Sequence, residues 1–380
     1  MVRSNAEEMV RRTIARFVDQ EVIPVAGELD EKGEPPKALY KKLADMGVIG
    51  IRYPKKVGGS GGNTTLYCII MEELARGLMS LGSMVAMEGL MATNGLYLYG
   101  SEKMHAAFLR PALRGEKIGA FQLTEPEAGS DLGAVKTSAV KTGDGWVING
   151  MKTWSTNGPF ADFHTVLCQT NPKKGLRGLM FFLVPRDTPG FSTSKRFKTL
   201  GTRTSALSEI YFNNCHIPDE YRLGEEGRGL DVLLKILSEI RAMTAALAIG
   251  LHRAALDDSI RYVKERESFG KPIGKYQLIQ SKIAKMAIDL EASQLMLKNV
   301  TRLIDNKVPC LNKATMAKYF SVEAACKASD EATRIYAGYG YSMEYAVQRY
   351  YRDNRFLLSG GGTHEVLLTT IAREILSKGV

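Results

Sequence analysis

Long apolar runs are missing from this 380-residue sequence: none approaches the roughly 20 residues of a membrane-crossing helix. Its start, Met1-Val2-Arg3-Ser4-Asn5-Ala6-Glu7-Glu8, has no apolar signal core, so a cytoplasmic protein without membrane attachment is expected. Cysteine is scarce. Cys68, Cys168, Cys215, Cys310 and Cys326 lie far apart and form no CxxC pair, which argues for reduced thiols and against a zinc or iron–sulfur centre. The five histidines show no metal-ligand spacing. Walker A, HExxH and GxSxG motifs are absent. Gly338-Tyr339-Gly340 lacks the third glycine and the preceding strand of a dinucleotide fingerprint. A long basic tract is missing too. The net charge is +10, but the densest spots, Lys173-Lys174 and Lys195-Arg196-Phe197-Lys198, are short and read as solvated surface, with no nucleic-acid partner.

What is present is a globular composition, 44% apolar and 24% charged, in three textures that predict an α+β multidomain fold. Residues 1–117 place apolar side chains at helical spacing (Met9, Ile14, Phe17, Val18, then Leu39, Leu43, Met46), interrupted by Glu34-Pro35-Pro36 and a Gly-rich loop at 57–62. They read as an N-terminal helical domain. Residues 118–225 alternate short β-prone stretches, such as His164-Thr165-Val166-Leu167, with turn residues, and predict a central antiparallel β domain. Over 226–380 the helical period returns. Helices are expected at 230–265, 277–304, 312–336 and 363–376, forming a C-terminal four-helix bundle.

Two segments carry chemistry. In Phe121-Gln122-Leu123-Thr124-Glu125-Pro126-Glu127-Ala128-Gly129-Ser130-Asp131, hydroxyls flank a turn whose backbone N–H groups suit an anionic or carbonyl ligand. In Lys152-Thr153-Trp154-Ser155-Thr156-Asn157-Gly158, an aromatic ring beside hydroxyl residues suits stacking on a planar cofactor. Each alone also reads as an ordinary loop.

Together they resemble the acyl-CoA dehydrogenase family of flavoproteins. So do Gly224-Glu225-Glu226-Gly227-Arg228-Gly229, Glu265-Arg266-Glu267-Ser268-Phe269-Gly270-Lys271-Pro272-Ile273 and Gly362-Thr363-His364-Glu365. The resemblance implies FAD lying between the β domain and the bundle. Gln122, Leu123 and Thr124 would line the isoalloxazine, Trp154 would pack against it, and Thr156 would donate near its N5. Ser130 would touch both the flavin phosphate side and the CoA pantetheine. Arg266, Phe269 and Gln277 match residues that bind the FAD of a neighbouring subunit, which implies a homotetramer. Gly338 would admit the adenosine diphosphate portion, although Arg334 stands where a Gln is common. Thr363 and Glu365 fall at flavin-contacting positions, and Arg241 matches a bundle arginine beside the substrate. An electron-transferring flavoprotein is the implied electron partner.

One departure bears on the reaction. The usual chemistry oxidises an acyl-CoA thioester: a carboxylate removes the α-proton while the β-hydrogen leaves as hydride. Many members carry that Glu directly before the Gly-Thr near the C-terminus, and here the position is Gly361, which supplies only a backbone N–H. The alternative helix position holds Ile240, and Glu239 is rotated from it by about 100°. Glu88 falls in the segment that lines the distal acyl pocket of relatives and is the candidate base. Met84, Met87, Leu90 and Met91 around it would raise its pKa. Its plain alternative is a surface helix charge. A polar, unsaturated or alicyclic acyl-CoA is therefore expected. The alternatives are an enoyl-CoA reductase of crotonobetainyl-CoA type, a DNA-binding relative or an inert one.

Overall fold

The computed structural model describes residues 4–378; Met1, Val2 and Arg3 of the start read above lie outside the described residues. Eight α-helices come first: α1 (Asn5–Phe17), α2 (Ala26–Lys32), α3 (Lys37–Asp45) and α4 (Thr64–Gly77), then α5 (Met79–Ala86), α6 (Thr93–Tyr99), α7 (Glu102–Met104) and α8 (Arg110–Leu113). Capping starts three of them. The Ser4 side chain accepts from the Glu7 N–H at α1, Asn63 accepts from the Leu66 N–H at α4, and Ser101 accepts from the Met104 N–H at α7. A π-helical turn, Met87–Ala92, joins α5 to α6.

The sheet follows, with β1 (Gly119–Gln122), β2 (Ser138–Lys141), β3 (Gly145–Ser155), β4 (Phe163–Gln169), β5 (Leu179–Pro185), β6 (Phe191–Thr193), β7 (Ser208–Pro218) and β8 (Arg222–Leu223). Their order is β6-β7-β3-β2-β4-β5-β8, with β1 added on β4. Most pairings are antiparallel, as the turn-punctuated sequence predicts. However, β1 runs parallel to β4, with Gly119 opposite Phe163, and β2 meets β4 in parallel at Ser138 and Gln169. No hairpin links these partners, so the sequence carried no signal for their direction.

The chain ends in α9 (Gly229–Glu265), α10 (Gln277–Asp305), α11 (Leu311–Tyr336), α12 (Val347–Leu357) and α13 (His364–Lys378). Buried Ala242, Ala245, Ala246 and Ala248 keep the middle of α9 narrow, which lets neighbouring helices pack close. The four expected helices are present, and α12 is added to them. Its inward face carries Arg349, Arg352, Asp353 and Asn354, so an apolar period could not reveal it. Arg352 is satisfied by an ion pair with Asp30 of α2, which ties the two helical regions together. No described helix is long and apolar enough to cross a membrane.

Candidate active site

The two chemistry-bearing segments meet. The Thr153 N–H donates to the Thr124 carbonyl at 2.9 Å, and the Lys152 ammonium donates to the Leu123 carbonyl at 3.0 Å. Lys152 is held there by buried Glu125, 2.7 Å away. Gln122 is buried at the end of β1, where its amide contacts Ser155 and the His164 ring, and its Oε1 has no partner. Burial lowers the His164 pKa to about 3, so that ring is neutral. Thr156 is buried, and its hydroxyl has no partner among the described residues. Trp154 has a left-handed backbone (φ 58°) and stays 60% exposed, with its ring edge against Phe197. A broad exposed ring beside unfilled donors and acceptors fits one face of a flavin. Ser130 is exposed in the following turn.

A second group lies on the surface of the bundle. The Arg266 guanidinium sits 5.7 Å from the centre of the Tyr339 ring, which brings its loop to the Gly338 turn. Nothing occupies the space where a Cβ on Gly338 would project. Phe269 is 95% exposed at φ 49°, and Gln277 opens α10 on the surface. Arg334, by contrast, is engaged by Asp330 at 2.7 Å.

The third group surrounds Gly361. This residue adopts φ +73°, and a Cβ on it would lie 3.2 Å from Thr244 Oγ1 and 3.5 Å from Ile240 Cγ2 of α9. Its N–H has no acceptor among the described residues. Between those contact residues on α9 sits Arg241, 5% exposed, which donates to Thr315 Oγ1 while its Nε has no partner. One turn along α11, Lys318 is 0% exposed and donates to the Gly362 carbonyl. Burial first, then the Arg241 charge, lowers the Lys318 ammonium to about 7, and burial lowers Arg241 as well. Lys318 was missed from the sequence, although its place among Ala314, Ala317, Ser321 and Val322, all on the inward face, was a readable signal. Glu239 is turned away and paired with Arg52, as its rotation on the helix predicted. Thr363 is half-buried after the turn, and Glu365 is exposed in the first turn of α13.

Glu88 is not a surface charge. It is 0% exposed in the π-helical turn, one oxygen accepts from the Gly119 N–H, and the other has no partner. Burial drives its pKa up to about 8; the Gly119 bond opposes this and Asp162 adds to it. Its hydrogen-bond partner comes from β1, and none comes from α9 or the Gly361 turn.

Family models for the acyl-CoA dehydrogenase N-terminal, middle and C-terminal domains match residues 4–116, 120–215 and 227–376. The chain is 45% identical to benzylmalonyl-CoA dehydrogenase of Aromatoleum aromaticum, over 98% of this chain and 99% of that one. It is 37% identical to the caffeyl-CoA reductase-Etf complex subunit CarC of Acetobacterium woodii, over the full length of both chains. Butyryl-CoA dehydrogenase from Megasphaera elsdenii superimposes with a TM-score of 0.96 at 33% identity, covering 99% of each chain. With three domain models matched in order and these full-length relatives, the chain belongs to the acyl-CoA dehydrogenase family of flavin-dependent CH–CH oxidoreductases.

Proposed function

We propose that the protein is a FAD-dependent oxidoreductase acting on the CH–CH bond next to a CoA thioester whose acyl group is not a simple straight chain. The observation that carries this reading is the Gly361 turn, which has no acid side chain and leaves buried cations beside the space it opens. When bound, FAD supplies the two-electron chemistry. Gln122, Leu123 and Thr124 would edge its ring, Trp154 would cover it, and the Thr156 hydroxyl would donate to it. Ser130 stands where phosphate and pantetheine meet, with Thr363 and Glu365 on the bundle side. The unpaired Gly361 N–H polarises the thioester carbonyl. Arg266, Phe269, Gln277 and Gly338, all exposed, complete the FAD site of a partner subunit in a homotetramer. An electron-transferring flavoprotein is the electron partner, as the complex named for the Acetobacterium relative suggests, and the location is cytoplasmic. Benzylmalonyl and caffeyl, the acyl groups in relatives' names, both carry an aromatic ring, which directs the search to aryl thioesters. Glu88 is assigned to the distal wall of the acyl pocket, protonated at neutral pH and able to exchange a proton beyond the α-carbon.

A second reading, enoyl-CoA reduction, is favoured by the missing acid at Gly361 and by the reductase named among the relatives. The test is anaerobic. Purified holoprotein is mixed with saturated, unsaturated and ring-bearing CoA esters while flavin absorbance is followed. Bleaching by a saturated ester establishes oxidation. Recovery of colour in the pre-reduced protein on adding only enoyl-CoA esters establishes the reductase, and silence in both directions defeats the reading.

A further inference from the structure

The Gly361 turn holds more positive charge than its surroundings use. Arg241 carries five N–H donors and meets only Thr315, while Lys318 spends one donor on the Gly362 carbonyl. Neither forms an ion pair among the described residues, and no acidic group perturbs either one. Burying a cation without an anion is costly, and buried Lys152 and Arg352 are each paired, with Glu125 and Asp30. Two of them converging on a turn with no side chain mark a place for a negative group supplied by a ligand.

We propose that Arg241 and Lys318 form a carboxylate subsite beside Gly361, and that the preferred substrate is an acyl-CoA bearing a carboxylate on its α-carbon, which leaves as carbon dioxide during oxidation. The proposal rests on the oxidoreductase reading above and deepens it. Loss of carbon dioxide does the work that an α-proton acceptor does elsewhere. The bond between the α-carbon and the carboxylate breaks, and its electron pair forms the α,β double bond. The β-hydrogen leaves with its own pair as hydride to the flavin, the oxidant. One negative charge enters with the carboxylate and one departs with the hydride. The enoyl thioester and carbon dioxide are neutral, and no proton is removed, so an absent base at position 361 is no defect. During the step, charge passes from the carboxylate towards the thioester oxygen, where the unpaired Gly361 N–H can receive it. A side chain at 361 would meet Ile240 and Thr244, and so would fill the room the carboxylate needs.

The test compares thioesters that differ only in this group: ethylmalonyl-CoA with butyryl-CoA, and benzylmalonyl-CoA with 3-phenylpropionyl-CoA. Binding to holoprotein is measured by calorimetry, flavin bleaching by absorbance, and carbon dioxide from carboxyl-labelled ester. Within a pair, the carboxylated member is expected to bind about 10- to 100-fold tighter, with one carbon dioxide released per flavin bleached. Arg241→Met should abolish the binding advantage, and Arg241→Lys should retain part of it. Should Arg241→Met fail to fold, Lys318→Met is measured in the same way. Equal binding within both pairs overturns the subsite. Equally fast bleaching by the uncarboxylated esters, without carbon dioxide, overturns the decarboxylation while leaving the oxidoreductase intact. If no ester bleaches the flavin and none restores colour to the pre-reduced protein, the oxidoreductase reading fails, and the binding arm alone decides whether the subsite stands.

Discussion

Around Glu73 the protein buries acids and bases together; around Gly361 it buries bases alone. In the first region Arg11 meets Glu72 at 2.9 Å and Glu73 at 2.6 Å, Arg253 reaches both carboxylates at 2.6 Å, and Arg76 approaches Glu73 at 3.0 Å. The region joins α1, α4 and α9, and every charge in it answers another. Near Gly361, Arg241 and Lys318 answer nothing, and Glu88 is the converse case, a buried carboxyl with no cation. Around Glu73 the charges are neutralised within the chain, whereas Arg241, Lys318 and Glu88 have no counter-charge among the described residues.

The largest effect should come from breaking the paired region. Glu73→Gln leaves the arginines around it short of an anion and is expected to cost about 3–5 kcal/mol, read as a lower thermal midpoint at pH 7. Burial alone would raise the Glu73 pKa, but Arg253, Arg11 and Arg76 outweigh it and hold it below the usual 4.5. Its contribution is therefore complete above pH 4.5 and lost as pH falls through the lowered value. An unchanged midpoint would show that these pairs do not hold the helices.

Glu88 should behave with the opposite sign. With a folded pKa of about 8 against an ordinary 4.5, the folded state holds the extra proton. Stability is then full below pH 4.5 and falls as pH rises towards 8. Glu88→Gln removes the ionisation, so at pH 9 the variant should be the more stable protein by an amount on the order of a few kcal/mol. Parallel stability profiles for the two proteins from pH 5 to 9 would refute the assignment.

The smallest shift sharpens the contrast most. Arg241→Met should raise stability by about 1 kcal/mol, because it removes a buried cation that nothing in the chain neutralises. A midpoint that falls, as for Glu73→Gln, would mean that Arg241 belongs with the structural charges.

Most of the fold could be read in the sequence because its signals are local. Helices α9, α10 and α11 start and stop within a residue or two of the positions set by their apolar period and flanking breakers. The segments around Thr124 and Trp154, which the structure brings together, stood out because hydroxyl and aromatic residues cluster within a few positions. What escaped was decided by distant packing. The parallel β1–β4 pair joins strands with no hairpin between them, and α12 turns charged residues inward to meet α2 and the β domain. The burial of Glu88 depends on β1, thirty-one positions away. Lys318 looked like an ordinary helix lysine until the Gly362 carbonyl was placed against it.

The left-handed backbone at Gly361 also limits how this enzyme can change over evolutionary time. A single nucleotide separates half of the glycine codons from a glutamate codon, so from those codons the acid that the family resemblance leads one to expect is one step away. At φ +73°, with α9 pressed against the missing Cβ, that substitution would arrive strained and badly aimed. A descendant regaining the acid would first need a turn reshaped by some other mutation, one with no advantage of its own. The glycine thus acts as a ratchet: one codon could reverse it, and the backbone around it keeps that reversal from being useful.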